Sequence, residues 1–599
     1  MSLLEIRNLQ VKFHTKTGMV EAVNHLSLDV EAGEIVGLVG ESGSGKSVSM
    51  MAVMGLLNQT KSVVQGEIYF DGVELMGNEG LYSGHIPDIG MIFQNALTCL
   101  NPTMTVGRQI METIMIHDNC KKKKAMEHAV DLLEQVGIRK PEQCMKQYPF
   151  ELSGGMLQRV VIVIALACKP KLMIADEPTT SLDVTVQAQI LELMKRISKE
   201  MGVAILLISH DMGVVASLCQ RIYILRKGHV IETGSTDDIF YHSREAYTKE
   251  LLRDSQMVRY EKAHEVIPQT EAILRVCEVE KYYKDKAVDG VSFTIHQGET
   301  LGLVGESSCG KSTLARMIIG IQKPTKGEIY FKNHRMDQRN NKEWMPYRQK
   351  VQMIFQNPYA SLNPRMTIGE IIEEPLRANH MGTGEERRAK VEKILELVGM
   401  HKEDTYKYPH EFSGGQRQRI GIARAFIVEP ELVICDEPLS ALDASIRGQV
   451  MELLEEFQKR KGLSYLFIAH DLEMVRRISH RIGVMYRGTI VELGNTKDIY
   501  EEPWHPYTKS LLAASPIANP RLARKKKQGI SGIPNQIIEN KREDSHHCPF
   551  LQACKYALEE CQKEAPELYT YGTRSVACFL YSNKLAEKRD KNYQMTAQI

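Results

Sequence analysis

The chain has 599 residues, a length that corresponds to about four domains of average size. Its 76 basic and 75 acidic side chains leave a formal net charge of +1, which argues against a protein that binds nucleic acid mainly through charge. Hydrophobic residues make up 43% and charged residues 25%, values typical of a globular chain and not of a disordered one.

No stretch of the sequence predicts a membrane-spanning helix, which needs about 20 mostly apolar residues. The longest uninterrupted apolar run covers residues 160–168. Glu5 and Arg7 lie where a secretory signal would have its apolar core, so we expect no export. The expected compartment is the cytosol.

Short apolar runs alternate with helical stretches from the N-terminus onward, a pattern that predicts an α/β domain with a largely parallel sheet. EIVGLVG (residues 34–40) is a buried-strand pattern that runs directly into a glycine-rich segment. LMIADE (172–177) and AILLISH (204–210) are two more such strands, and each ends in polar or charged residues. Open α/β sheets bind their ligands at that edge.

The same motifs recur in the same order about 260 residues later, so the chain contains two copies of one domain. The recurring motifs are GESGSGKS at Gly40 and GESSCGKS at Gly305, MIFQN at Met91 and Met353, SGG at Ser153 and Ser413, DEP at Asp176 and Asp436, and HD at His210 and His470. The predicted division is a first domain at 1–260, a linker at 261–271, a second domain at 272–515 and a C-terminal extension at 516–599.

Each copy has a loop of the form G-x4-G-K-[ST], whose backbone N–H groups can wrap a phosphate. Lys46 is expected to reach the outer phosphates and the Ser47 hydroxyl to ligate Mg²⁺. Two such loops after two strands make a chance glycine-rich turn a negligible alternative. The residues predicted to bind the phosphates are Gly40, Glu41, Ser42, Gly43, Ser44, Gly45, Lys46 and Ser47 in the first copy and Gly305, Glu306, Ser307, Ser308, Cys309, Gly310, Lys311, Ser312 and Thr313 in the second.

Two carboxylates close an apolar strand in each copy, Asp176 with Glu177 and Asp436 with Glu437. Consecutive strand residues point in opposite directions, but where the strand ends the chain turns and both can approach one site. One carboxylate can then hold hydrated Mg²⁺ while the next polarises an attacking water, as phosphoryl transfer requires. Without a phosphate loop, a solvated strand end would be the commoner interpretation.

Two further side chains recur beside these motifs. His210 and His470 end predicted strands and are expected to lie near the γ-phosphate, although a lone histidine is usually structural. Gln94 and Gln356 follow MIF, and their amides can ligate Mg²⁺ or order water, a weak signal by itself. The predicted magnesium ligands are Ser47, Gln94, Asp176, Ser312, Gln356 and Asp436.

A Ser-Gly-Gly tripeptide begins a predicted helix in each copy. Such a helix N-terminus is an anion site that has no lysine of its own. A γ-phosphate held between two copies would use one loop with a lysine and one without. The tripeptides are Ser153, Gly154 and Gly155 in the first copy and Ser413, Gly414 and Gly415 in the second.

Taken with SLD or ALD at 181–183 and 441–443, these motifs occur twice in one order, and the chain resembles two fused nucleotide-binding subunits of an ATP-binding cassette (ABC) transporter over about residues 1–515. The resemblance implies P-loop ATPase domains with a RecA-like parallel core, an antiparallel β subdomain and a helical subdomain. It implies a head-to-tail intramolecular dimer, in which Lys46 shares one ATP with Ser413 and Lys311 shares the other with Ser153. It also implies an aromatic ring on each adenine. By spacing these rings are Phe13 and Tyr282, with Tyr283 as the alternative to Tyr282.

A narrower resemblance lies in FQNALTCLNPTMTVGR (93–108), FQNPYASLNPRMTIGE (355–370) and HPYTKSLLAA (505–514), which are similar to the peptide, nickel and glutathione importer ATPases. It implies ATP-driven uptake of a small solute through two separate membrane permease subunits and a solute-binding protein. The chain would then lie on the cytoplasmic face of the membrane. Leu157 departs from the arginine usual after SGG, which bears on whether the two ATP sites turn over equally.

Four cysteines, Cys548, Cys554, Cys561 and Cys578, lie within 31 residues near the C-terminus. Their spacing fits neither the short pairs of zinc sites nor ferredoxin runs, so the residues alone leave a cluster, zinc or unligated thiols open. The importer resemblance implies a [4Fe-4S] cluster on these four residues. Since the segment is too short for much of a core, we expect a bound centre to supply its order.

The alternative to an importer subunit is a soluble tandem ABC ATPase that acts on ribosomes or DNA. The predicted linker is short, the clustered cysteines are C-terminal, and no cysteine pair lies between a phosphate loop and a Ser-Gly-Gly tripeptide. These features disfavour the alternative, and we expect no nucleic-acid partner.

Overall fold

The computed structural model describes residues 2–15, 18–41, 43–58, 60–77, 88–180, 182–257, 271–283, 285–337, 341–356, 361–439, 442, 444–529 and 547–582. Contacts divide the chain into two compact units, Met1–Gln256 with Ala514–Ile537, and Met257–Ala513 with Ile538–Ile599. Within the described ranges, no helix has the length and apolar character that a membrane crossing requires. Most of the predicted linker lies outside the described residues, so the domain boundaries stay predictions.

The first unit contains a four-stranded antiparallel sheet in the order β2-β1-β4-β5. Its strands are β1 Leu4–Thr15, β2 Gly18–Val30, β4 Ser62–Phe70 and β5 Val73–Met76. In β1 the alternate residues Leu4 and Ile6 are buried while Arg7 is exposed, so one face of this sheet packs on the core.

A second, six-stranded sheet in this unit has the order β10-β9-β3-β8-β7-β6. Its strands are β3 Ile35–Val39, β6 Ile89–Ile92, β7 Leu172–Asp176, β8 Ala204–Ser209, β9 Arg221–Arg226 and β10 His229–Ser235. All pairings are parallel except that of β9 with the edge strand β10. Every residue of β3, β7 and β8 is buried, which explains their continuous apolar runs and confirms the predicted parallel sheet.

Helices of the first unit cover the parallel sheet and form a separate helical layer. Three of them, Val106–Asp118, Lys122–Gln135 and Gly154–Ala167, pack together through buried residues such as Ile110 and Leu132. The described helices are Lys46–Val53, Ala96–Cys99, Val106–Asp118, Lys122–Gln135, Pro141–Cys144, Gly154–Ala167, Val184–Met201, Met212–Leu218, Thr236–His242, Ala246–Met257 and Pro520–Gly529.

The second unit repeats this plan. Its antiparallel sheet has the order β12-β11-β14-β15, with strands β11 Ala272–Tyr282, β12 Lys286–His296, β14 Lys326–Phe331 and β15 His334–Arg335. Its main sheet has the order β16-β17-β18-β13-β19-β20-β22-β21. Those strands are β13 Thr300–Val304, β16 Val351–Ile354, β17 Leu432–Asp436, β18 Ser464–Ile468, β19 Arg481–Tyr486, β20 Thr489–Asn495, β21 Tyr569–Tyr571 and β22 Arg574–Val576. The described helices are Lys311–Ile318, Asn341–Arg348, Ile368–Ala378, Gly384–Leu397, Gly414–Phe426, Ala444–Lys461, Leu472–Ile478, Thr496–Glu501, Pro506–Ala514 and Glu560–Lys563.

The C-terminal segment adds two strands to this main sheet. β22 pairs antiparallel with β20, opposing Val576 to Glu492. The Arg574 guanidinium donates to the fully buried Glu492 carboxylate at 2.8 Å and lies 3.9 Å from the Trp504 ring centroid. The described part of this segment therefore pairs with the second copy, and an ordering role of a bound centre stays a prediction.

Candidate functional site

The first phosphate loop connects β3 to the helix Lys46–Val53. Lys46 is buried, and its Nζ donates to the carbonyl oxygens of Gly40 and Glu41, both at 2.7 Å. Gly45 has a φ of 100°, and a Cβ there would lie 2.4 Å from the carbonyl oxygen of Ala22, so only glycine fits. The loop places an ammonium group beside a helix N-terminus, as an anion site requires. Ser42 of this loop lies outside the described residues.

The second phosphate loop has the same local geometry. The buried Lys311 donates to the carbonyl oxygens of Gly305 at 2.8 Å and Glu306 at 2.9 Å. The two loops differ in one neighbour of the lysine. Lys46 Nζ lies 3.4 Å from the Ser44 hydroxyl, whereas Lys311 Nζ lies 3.7 Å from the Cys309 sulfur.

The paired carboxylates lie where a buried strand turns sharply. Asp176 ends β7 and Asp436 ends β17, and the glutamates that follow have φ values of 45° and 46°. This left-handed turn lets neighbouring side chains face one site instead of opposite faces of the sheet. Ser312 Oγ donates to Asp436 Oδ1 at 3.0 Å, and the Ser47 hydroxyl acts on Asp176 in the same sense by lowering the pKa of that carboxyl.

The first catalytic-site candidate centres on the Glu177 carboxylate. Gln94 Nε2 donates to Glu177 Oε2 at 2.9 Å, and His210 Nδ1 lies 2.8 Å from Glu177 Oε1. The Thr180 hydroxyl also donates to Oε2, at 3.0 Å. Gln94 and His210, two residues predicted from distant motifs, thus meet at the predicted Glu177 carboxylate. Thr180 was missed, and the only signal for it was its position just after the carboxylate pair.

The second copy repeats this network around Glu437. Gln356 Nε2 donates to Glu437 Oε2 at 2.7 Å, and His470 Nδ1 lies 3.4 Å from the same oxygen. The aspartates that follow the histidines have a local role, because Asp211 and Asp471 each accept backbone N–H groups at the start of the next helix.

Burial and hydrogen bonds set the charge of these groups. Burial raises the pKa of Asp176 and of Asp436, and the serine hydroxyls only partly oppose it. Burial also raises the pKa of Glu177, but the hydrogen bond and charge of His210 outweigh it and lower that pKa to about 2. The pKa of Glu437 is lowered for the same reason by His470. The two glutamates are therefore ionised at neutral pH and held by their histidines.

The Ser-Gly-Gly tripeptides begin the helices Gly154–Ala167 and Gly414–Phe426. Ser413 Oγ accepts from Gln416 N at 3.3 Å, and Ser413 N donates to Gln416 Oε1 at 3.0 Å, which forms a capping box. In the first copy Ser153 Oγ accepts from Met156 N at 3.4 Å. Met156, at the position of Gln416, has no side-chain oxygen to accept a hydrogen bond from Ser153 N, so the first copy lacks the capping box.

The residue that follows Met156 or Gln416 also differs between the copies. Arg417 Nε donates to the carbonyl oxygen of Pro409 at 2.6 Å and so ties the helix to the preceding turn. Leu157, its counterpart, is buried but has no polar group for this purpose. The first tripeptide is therefore less firmly held than the second.

The predicted adenine-stacking aromatics occupy different surroundings. Phe13 is half-buried and packs against the core of the antiparallel sheet. Tyr282 is 38% exposed, with its hydroxyl donating to Glu280, and Tyr283 is 56% exposed, with its hydroxyl donating to Gln322. Their stacking role stays a prediction. Of the predicted 181–183 and 441–443 motifs, Ser181, Ala441 and Asp443 lie outside the described residues.

The four C-terminal cysteines are thiols in the structure, and three of them are buried. Burial is the main cause that raises the pKa of Cys548 to about 11 and that of Cys578 to about 12, and the neighbouring cysteines contribute to both values in the same direction. Two of these residues also meet through the backbone, because Cys548 N donates to the carbonyl oxygen of Cys561 at 3.0 Å. Within the described ranges, no three His, Cys, Asp or Glu side chains are grouped as metal ligands.

Comparisons with protein families agree with this doubled site. A model described as ABC transporter matches residues 23–180 and again residues 288–440. A model described as the C-terminal region of oligopeptide/dipeptide transporters matches residues 491–561. The chain therefore belongs to the ABC transporter family. It is an ABC-type ATPase whose hydrolysis is coupled to transport, and this class uses ATP with Mg²⁺.

Individual relatives cover nearly the whole chain. It is 42% identical to the glutathione import ATP-binding protein GsiA of Escherichia coli (strain K12) over 580 residues, which are 90% of this chain and 93% of the relative. It is 41% identical to GsiA of Salmonella typhimurium (strain LT2) over 579 residues, 89% of this chain and 93% of the relative. The solved structure of cbiO1 from Clostridium perfringens, part of the ABC transporter complex cbiONQ, is 28% identical over 43% of this chain and 99% of its own, with a TM-score of 0.37.

Proposed function

We propose that the chain is the ATP-hydrolysing subunit that energises uptake of a small solute through separate membrane permeases. The observation that carries this proposal is the network around Glu177 and Glu437, because both copies hold an ionised glutamate beside a phosphate loop. The match of residues 491–561 supports a di- or oligopeptide as the solute. Glutathione, named for the relatives, and nickel or a metallophore are the other candidates.

In this proposal each copy supplies one set of catalytic side chains. Lys46 binds the outer phosphates, and Ser47, Gln94 and Asp176 would hold Mg²⁺, which neutralises phosphate charge when bound. Glu177 orients and polarises the attacking water. His210 fixes Glu177 and contacts the γ-phosphate. The corresponding residues of the second copy are Lys311, Ser312, Gln356, Asp436, Glu437 and His470.

Each ATP would be shared between the copies in a head-to-tail intramolecular dimer. The phosphate loop with Lys46 supplies a cation, and the helix that begins after Ser413 supplies an N-terminus without one. The second site pairs Lys311 with Ser153 in the same way. Two unequal anion sites per copy are the feature that this arrangement explains.

The permeases would dock on a groove beside the glutamine of each copy. In the second copy this groove has a volume of about 690 Å³ and is lined by Gln356, Phe355, Ile321 and Arg424 among others. Ile321 is 57% exposed there, and its counterpart Leu56 in the first copy is 55% exposed. A groove lined by both apolar and polar side chains, with an exposed apolar residue among them, suits an inserted segment of a partner protein. The chain would thereby be held at the cytoplasmic face of the membrane.

We expect the full-length chain to co-purify with two hydrophobic permease subunits from gently solubilised membranes. The double substitution Leu56→Asp and Ile321→Asp should reduce the recovered permeases by about tenfold, because each places a charge in an apolar contact. The measurement is quantitative mass spectrometry of the purified complex. Met201→Asp, at a residue that is 48% exposed and ends the helix Val184–Met201, is the matched control. Co-sedimentation with ribosomes and no membrane association would contradict the proposal.

We also propose that Cys548, Cys554, Cys561 and Cys578 are the ligands of a [4Fe-4S] cluster with a structural or redox-sensing role. Four neighbouring, mostly buried thiols are the donor set that such a cluster uses. The side-chain positions do not group three of them as ligands, so binding would require the four sulfur atoms to approach one another.

Anaerobically purified protein should then be brown and contain iron with acid-labile sulfide. Replacing any one of the four cysteines by Ser should abolish the colour, while ATP binding at Lys46 and Lys311 persists. Cys277→Ser, at an exposed cysteine outside this segment, should keep the colour. Colourless protein with stoichiometric zinc would make the segment a zinc site, and metal-free protein with an ordered segment would exclude ligation.

A further inference from the structure

The second residue of each phosphate loop donates its backbone N–H to a buried tyrosine from a later helix. Glu41 N donates to the Tyr247 hydroxyl at 3.3 Å, and Glu306 N donates to the Tyr507 hydroxyl at 3.2 Å. Tyr247 is 4% exposed and Tyr507 is 2% exposed. A phenol locked in the core holds the loop backbone at a fixed point, so each tyrosine braces the start of its phosphate loop.

The two tyrosines have different neighbours. In the first copy the Arg226 guanidinium lies 4.5 Å from the Tyr247 ring centroid. In the second copy Tyr486 takes that position, with its ring centroid 4.5 Å from that of Tyr507. Phe550 completes the cluster, at 5.6 Å from Tyr507 and 5.3 Å from Tyr486. An aromatic triad therefore stands where the first copy has a single cation–π pair.

Phe550 belongs to the segment that carries the four cysteines, and the turn around it contains two of them. Leu551 N donates to the carbonyl oxygen of Cys548 at 3.0 Å, and Cys554 N donates to that of Leu551 at 3.3 Å. Phe550 is itself 6% exposed. The same turn includes the Phe550 backbone, because the carbonyl oxygen of Phe550 accepts from Ala553 N at 3.1 Å. The two cysteines and the ring that packs on Tyr507 therefore belong to one turn.

A second contact joins the same segment to the same loop. Arg487 Nη1 donates to the carbonyl oxygen of Pro549 at 3.5 Å, and its neighbour Gly488 donates its N–H to the carbonyl oxygen of Cys309 at 2.8 Å. The turn between β19 and β20 therefore touches the four-cysteine segment on one side and the phosphate loop on the other.

We propose that Tyr507 is a positioning residue for the second phosphate loop, and that Phe550 makes ATP binding at this loop depend on the C-terminal four-cysteine segment. The inference rests on the proposed assignment of both loops to ATP. It assigns the segment an action on one of two ATP sites, because the first loop is braced through Tyr247 and Arg226 within its own copy.

The test uses the full-length chain, photolabelled with azido-ATP, with peptides of the two loops quantified separately by mass spectrometry. Tyr507→Phe removes one hydrogen-bond acceptor and should weaken labelling at the second loop by about fivefold. Phe550→Ala should weaken it by about tenfold through lost packing on Tyr507. Both should leave the first loop unchanged, whereas Tyr247→Phe should weaken only the first loop.

Tyr556→Ala is the matched control, because this aromatic residue lies in the same segment but is 58% exposed. Hydrogen exchange should also be faster in the peptide containing residues 305–312 of Tyr507→Phe, at unchanged thermal stability. If Tyr507→Phe and Phe550→Ala both label the second loop as strongly as the wild-type protein does, this inference alone is overturned. Wild-type protein that labels at neither loop would overturn the proposed function together with the inference.

Discussion

The double substitution Glu177→Gln and Glu437→Gln should lower steady-state ATP hydrolysis by on the order of 100-fold or more, with ATP binding retained. Glutamine keeps the shape of the side chain but replaces one accepting oxygen by an NH2 group and removes the charge that polarises water. Each single substitution should stop turnover at its own site while the phosphate contacts of Lys46 and Lys311 remain. The measurements are phosphate release and equilibrium nucleotide binding for the two single variants and the double variant.

The matched control for this experiment is Glu192→Gln with Glu452→Gln. These glutamates occupy corresponding, exposed positions on the helices Val184–Met201 and Ala444–Lys461. The control changes the same charges without touching either carboxylate network. Full hydrolysis by the Glu177 and Glu437 double variant would show that neither residue is the base.

Lys46→Ala and Ser413→Arg should each reduce hydrolysis strongly, and together they should reduce it no further than the more severe of the two. Residues that act on one bound nucleotide behave as a unit, so their effects are far from additive. The alanine removes the buried ammonium group, and the arginine blocks the start of the helix Gly414–Phe426. A double-mutant cycle on ATP turnover measures the coupling.

The pair Lys46→Ala and Ser153→Arg is the comparison for this cycle, because the proposed arrangement places these residues at different ATP sites. Their losses should therefore combine and abolish turnover at both sites. Additive losses for Lys46 with Ser413, together with coupling for Lys46 with Ser153, would instead indicate two self-contained sites.

The residues of the site that could be predicted from the sequence are those that belong to short contiguous motifs. The loops around Lys46 and Lys311 follow buried strands, and the paired carboxylates lie at the ends of β7 and β17, so the local pattern sufficed to place them. The repeat supported the assignment of the glutamines to the site, because Gln94 recurs as Gln356 in the second copy. The parallel sheet was likewise predictable, because strands buried on both faces must be continuously apolar.

Contacts between residues that are far apart in the sequence could not be predicted from local patterns. The Tyr507 hydroxyl meets the Glu306 amide across 201 residues, and Arg574 meets Glu492 across 82. No spacing rule links these pairs, because the sheet order that brings them together is set by the whole packed chain. The added strands β21 and β22 were missed for the same reason, since each has only three residues and little pattern of its own.

The buried ion pair of Glu492 and Arg574 makes the two halves of the chain differ in what stabilises them. The equivalent Glu232 and Glu492 both accept backbone N–H groups just before the helices Ala246–Met257 and Pro506–Ala514. Of the two, only Glu492 is wholly buried with an arginine from the C-terminal segment. Removing one partner of such a pair typically costs about 3–5 kcal/mol. Removal of the segment 547–582 would therefore destabilise the second half, and the first half has no such ion pair at Glu232 to lose. Exchanging the order of the halves would not produce an equivalent protein.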